Sequence, residues 1–145
     1  MRMTAVLLVL TSGAAFAAPD CKPVVGHFEA QVVPVGQRHC TEVSAETLCT
    51  AGRVWGGIQG NYEFVATGAL PSETMGGVPG ILFFTGKSTV FLKSGDTIVG
   101  TDTGSIDVVR GGFASLITFP NGQIRLRGEL VDGTTSGDYI GSLCQ

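Results

Sequence analysis

The chain has 145 residues, of which 43% are hydrophobic, 14% are charged and 22 are glycine, with a formal net charge of −3. That length suits one compact domain, and so much aliphatic and aromatic content against so little charge excludes extended disorder for its body. Nine Lys and Arg against twelve Asp and Glu, nowhere gathered into a basic run, exclude a nucleic-acid binder.

The first element is a leader. Arg2 precedes the apolar run from Ala5 to Leu10, and small residues follow at Ala14, Ala15, Ala17 and Ala18. This is the order of a secretory signal peptide over residues 1–17, cut after Ala15-Phe16-Ala17, with one domain over 18–145. The apolar run is too short for a bilayer, and no other window approaches the ~20 apolar residues of a membrane helix. A secreted or periplasmic protein with no membrane span is expected. Pro19-Asp20 ahead of Cys21 lacks the small apolar motif that lipid attachment requires.

Export changes how the four cysteines read, because an oxidising compartment favours two disulfides over free thiols. Three connectivities are open to them. The preferred one joins Cys40 to Cys49 across a short polar excursion and Cys21 to Cys144 between the two ends of the mature chain. Zinc is poorly served: no Cys-x-x-Cys pair exists, and only His27 and His39 offer imidazoles. Neither a metal nor a cofactor is expected.

From Val24 onward the pattern predicts strands near 24–34, 50–58, 60–68, 80–93, 96–109, 112–120, 122–131 and 134–143, with 44–49 as at most one helical turn. The clearest is Gln123 to Leu130, which alternates polar and apolar residues and puts Ile124, Leu126 and Leu130 on one face and Arg125 and Arg127 on the other. Turn signals separate the strands at Ser94-Gly95-Asp96, Gly111-Gly112, Asn121-Gly122 and Asp132-Gly133. Eight strands in a meander predict an all-β, eight-stranded antiparallel up-and-down barrel, with a β-sandwich as the alternative. Glycines inside the strands, Gly86 and Gly104 among them, suit a small barrel, where strands bend sharply or another backbone comes close.

Several residues carry chemistry worth weighing. His27 alternates with Val25, Glu29 and Gln31 on a face that reads as solvated, and His39 in its polar loop reads as a surface residue. Trp55 shares a strand face with Arg53, which suggests an exposed ring or a rim position and a pointer to ligand contact. Tyr62 and Tyr139 either project phenols into a cavity or pack in the core. The run from Gly80 to Ser88 ends in Gly-Lys-Ser, but five residues separate its glycines where a P-loop has four, and they are apolar and β-prone. Ser115 and Ser136 lack the Gly-x-Ser-x-Gly elbow of an activated nucleophile.

Asp102 is the most informative polar residue. Period two places it on the face of Ile98, Gly100, Gly104 and Ile106, which is mostly apolar and therefore inward. An inward carboxylate is a candidate general acid or base, since desolvation raises its pKa. The same Thr-Asp-Thr-Gly segment also suits a β-bulge in which Asp102 hydrogen-bonds nearby backbone.

The segments Gly57-Ile58-Gln59-Gly60-Asn61-Tyr62-Glu63-Phe64, Phe83-Phe84-Thr85-Gly86, Gly95 to Gly104 and Gly112-Phe113-Ala114-Ser115-Leu116 resemble small secreted bacterial members of the allene oxide cyclase barrel-like group. The likeness covers roughly residues 40 to 144. It implies a calycin-type barrel like those of plant allene oxide cyclases and dirigent proteins, and a fold more firmly than a reaction. Many relatives carry a Gly-Arg-Phe turn after the Gly-Phe-Ala-Ser segment. Here Phe119 runs straight through Pro120-Asn121-Gly122 into the next strand, and no catalytic residue transfers.

Three functions fit. The first is an exported barrel binding a small apolar molecule or a surface partner. The second is a cyclase-like enzyme that restrains a hydrophobic substrate in the barrel cup with help from a carboxylate or phenol. The third is a disulfide-braced structural domain with a filled core. The state of the barrel interior separates them, and the sequence carries no signal for an oligomeric state.

Overall fold

The computed structural model describes residues 20–41 and 48–144. The leader expected over 1–17 and most of the helical turn expected over 44–49 fall outside those residues. Eight strands follow one another: β1 Cys21–Val33, β2 Cys49–Gly56, β3 Gly60–Pro71, β4 Ile81–Leu92, β5 Thr97–Asp107, β6 Gly112–Phe119, β7 Gly122–Val131 and β8 Thr134–Cys144. Each pairs antiparallel with its sequence neighbours, and β1 pairs with β8, so the sheet closes into a barrel and the sandwich alternative is excluded. A single 3-10 turn, Ser72–Met75, precedes β4.

Turn chemistry sets the strand ends. Asp132 and Gly133 both take positive φ, 49° and 77°, as the tight hairpin between β7 and β8 demands. β1 starts three residues earlier than the alternation suggests because Cys21, Lys22 and Pro23 continue the ladder opposite Cys144, Leu143 and Ser142. β3 runs past residue 68 because a bulge between Ala66 and Gly68 lets pairing continue to Pro71 opposite Leu82. The bulge absorbs Thr67 and switches the phase of the strand, so that Ala69, opposite Phe84, faces inward and Leu70 faces out.

The glycines inside the strands make room for inward aromatic rings. A Cβ on Gly86 would collide with the Phe64 ring, and one on Gly26 with the Tyr139 phenol. Small and large residues therefore alternate around the barrel, as a tapered interior requires.

The two ends differ. One carries the short connections 57–59, 93–96 and 120–121 together with the Cys21–Cys144 disulfide, whose cysteines are 123 residues apart in sequence. Toward that end Val90, Ile117, Phe119, Ile124 and Tyr139 are each at most 5% exposed and leave only about 20 Å³ unfilled. The other end carries the β1–β2, β3–β4, β5–β6 and β7–β8 connections. Beside it, Cys40–Cys49 braces the start of β2 and packs with Val33 as a small separate core. The barrel is thus a disulfide-braced module, and no described cysteine is free.

Candidate functional site

Inside the second end the barrel is not filled. A cavity of about 90 Å³ is lined by Phe28, Tyr62 and Leu126 at mid-barrel and by Ala66, Ala69, Leu82, Phe84, Ile106, Phe113 and Leu130 towards the rim. The rim residues Ala69, Leu82, Ile106, Phe113 and Leu130 are half-buried rather than buried, so among the described residues the cup opens at this end. Its walls are almost wholly apolar. The polar groups on them are Asp102, Tyr62 and the hydroxyls of Thr50, Ser115 and Thr135, and Thr135 donates its proton to the Ala30 carbonyl at 3.1 Å.

Asp102 sits at the floor, 2% exposed. It faces inward, as the alternation of β5 predicts. The bulge reading of this segment is overturned: the β4–β5 register is unbroken through Gly86–Asp102, and the side chain bonds another side chain instead of the backbone. Ser88 Oγ donates to Asp102 Oδ2 at 2.9 Å, and the Tyr62 phenol lies 3.1 Å from the same Ser88 oxygen. Ser88 has one proton and gives it to the carboxylate, so Tyr62 O–H donates to Ser88. The row runs Tyr62, Ser88, Asp102 and ends at Asp102 Oδ1, which is buried and has no hydrogen-bond partner among the described residues.

This setting moves both acids. Burial pushes the Asp102 carboxyl up to about 6, with the Ser88 hydrogen bond and then the nearby Ser115 hydroxyl, which forms no hydrogen bond of good geometry to it, pulling it partly back. Burial also raises the Tyr62 phenol far above its ordinary value, the Asp102 charge adds to the rise, and Ser88 opposes it. Desolvation dominates in each case because the charged form loses water that these hydroxyls only partly replace. At neutral pH one carboxylate, with a buried and unpaired oxygen, therefore sits in the wall of an apolar chamber.

The other residues singled out in the sequence lie elsewhere. Tyr139 belongs to the closed half, where its phenol accepts from the Ile58 N–H at 2.8 Å and has the Trp55 and Ile58 carbonyls at 3.2 Å for its own proton. It pins the 57–59 connection across the barrel end, and its hydroxyl is raised by that burial. Trp55 lies on the outer wall, 44% exposed, with its ring centroid 5.9 Å from that of His27. His27 is exposed as expected, and its Nδ1 meets Asp138 Oδ1 at 2.5 Å across the β1–β8 ladder. His39 is not a surface residue: its side chain is 15% exposed, and its ring reaches the Phe64 carbonyl at 3.2 Å and Glu63 at 3.6 Å. The disulfide beside it draws the loop onto β3. Ser88 is the participant that sequence reasoning missed. Its signal was a lone hydroxyl on the Leu82, Phe84, Gly86, Val90 face of β4.

Among the described residues no group of His, Cys, Asp and Glu is placed to hold a metal ion, and no helix is long and apolar enough to cross a membrane. Comparison with protein families, characterised proteins and solved structures finds no match for this chain.

Proposed function

We propose that this protein is an exported binding barrel whose open half takes up a small, largely apolar molecule. One observation carries the reading: the closed half of the interior is packed almost solid, while the open half keeps an apolar chamber of about 90 Å³ leading to the rim. Largely apolar cavities accept small hydrocarbons, because most of their wall offers water no hydrogen bond. Export is supported by the leader pattern and by two disulfides that suit an oxidising compartment. The closed eight-strand meander is the fold that a resemblance to allene oxide cyclase barrel-like proteins implies.

The test is a toluene titration followed by methyl NMR. Ala66, Leu82, Ile106 and Leu130 should shift and saturate while Val90 and Ile117 stay still, and Ala69→Trp should abolish the response. Shifts spread evenly over both sets, or none in the first, would remove the cup reading. A cyclase-like enzyme is the second reading, favoured by one observation, the buried Asp102 carboxyl at the cup floor with its raised pKa.

A further inference from the structure

Resting on the cup reading, we infer that the preferred occupant is a small apolar amine whose ammonium group pairs with Asp102. The anchor is Asp102 Oδ1. A carboxylate oxygen that is buried and without a partner is costly, and a group so placed calls for a donor from outside the chain. An alcohol supplies one donor proton, an ammonium supplies several together with the opposite charge, and a carboxylate supplies repulsion.

The surroundings decide among these. From β3 the only titratable group facing Asp102 is Tyr62, held neutral and already donating to Ser88. From β4 comes Ser88, from β6 Ser115, and across the cup Thr50 of β2 and Thr135 of β8. No Lys, Arg or His among the described residues lines the cavity. The charge of Asp102 is therefore uncompensated inside the barrel, in a chamber where a facing cation interacts far more strongly than at a surface. Anionic occupants such as fatty acids are disfavoured by the same charge.

Size sets the rest of the molecule. Asp102 lies four residues before the rim residue Ile106 on β5. At about 3.3 Å per residue and a strand tilt near 40°, the anchor is roughly 10 Å below the mouth. That depth admits a chain of a few carbons or one ring, lying against Phe84, Phe113 and Leu130 with its far end at the opening.

The test compares n-hexylamine, hexan-1-ol and hexanoate, which share one body, by methyl NMR titration at about pH 8, where Asp102 is ionised. The amine should bind about tenfold or more tighter than the alcohol, the size expected of an opposite charge placed within a few ångströms of a buried carboxylate, and hexanoate should not saturate. Amine binding should also lower the Asp102 carboxyl midpoint in a carbon-detected titration, so amine affinity falls more steeply than alcohol affinity as pH drops through about 6. Asp102→Asn, which keeps an acceptor for Ser88, should erase the amine preference over hexan-1-ol. Equal affinity for amine and alcohol, or an amine preference that survives Asp102→Asn, overturns this inference and leaves the cup reading standing. Saturation by none of the three overturns both.

Discussion

The two halves of the barrel interior treat their buried polar groups in opposite ways. In the closed half the Tyr139 phenol meets one N–H and two carbonyls, so every hydrogen-bonding site on it has a backbone partner. In the open half a row of three side chains ends in an oxygen with none. Each half has an apolar inner face that carries a polar residue. The first placement holds a connection in position and contributes stability, whereas the second gives up stability by leaving a buried acceptor unpaired beside the cup. Completeness of hydrogen bonding, rather than burial, separates Tyr139 from Asp102.

That contrast can be broken at three points. The largest effect is expected from packing. Phe119→Ala, at a position 4% exposed in the filled half, should cost about 3–5 kcal/mol. Phe113→Ala, on the half-exposed cup wall, should cost less than half as much, because the space it leaves joins an existing cavity. Urea denaturation of both variants measures this, and equal losses would mean that the halves are packed alike.

Asp102→Asn comes next and has the opposite sign. The Asp102 pKa is about 6 in the folded barrel against an ordinary 3.8. The folded state therefore binds the extra proton between those values, and the stability it confers is present below about 3.8 and lost as pH rises through 6. Above that window the ionised carboxylate burdens the fold by about 3 kcal/mol, since each tenfold change in proton affinity is worth about 1.4 kcal/mol. The Asn variant should accordingly be the more stable protein near pH 8, with the advantage vanishing near pH 3.5. Thermal unfolding across pH reads the crossover, and a wild type that gains stability from pH 4 to 7 relative to the variant would reverse the assignment of Asp102.

Tyr139→Phe should have the smallest effect, a loss of about 1–3 kcal/mol, because the Ile58 N–H is left buried without an acceptor. It should leave toluene uptake at the other end unchanged. Hydrogen exchange at Ile58 together with the toluene titration checks both halves of that statement.

Much of this was legible in the chain. Alternation in β7 and β5 and the glycine turns between strands locate eight strands within a few residues, because a half-buried strand has no other way to satisfy its two faces. The inward direction of Asp102 followed from the same period. What the chain could not display is whatever depends on register between strands. Ser88 meets Asp102 only because Gly86 of β4 lies opposite Asp102 and the two side chains are diagonal neighbours on the inner face. Tyr139 finds Ile58 across 81 residues of sequence. The bulge at Thr67 changes which residues face the cup without leaving any mark on composition. The inequality of the two ends was also hidden, since both inner halves read as equally apolar along every strand.

The Cys21–Cys144 bond has a consequence for proteolysis. It joins the first residue of β1 to the last of β8, so all eight strands and every connection between them lie within one covalent ring. A protease that cuts the exposed 73–79 segment, or any other connection at the mouth, opens the ring once and releases nothing. The nicked protein keeps its mass plus one water and its strands remain hydrogen-bonded side by side, with separate fragments emerging only after reduction. Wherever peptidases are common and reductants scarce, damage to the rim of the cup is thereby uncoupled from loss of the barrel.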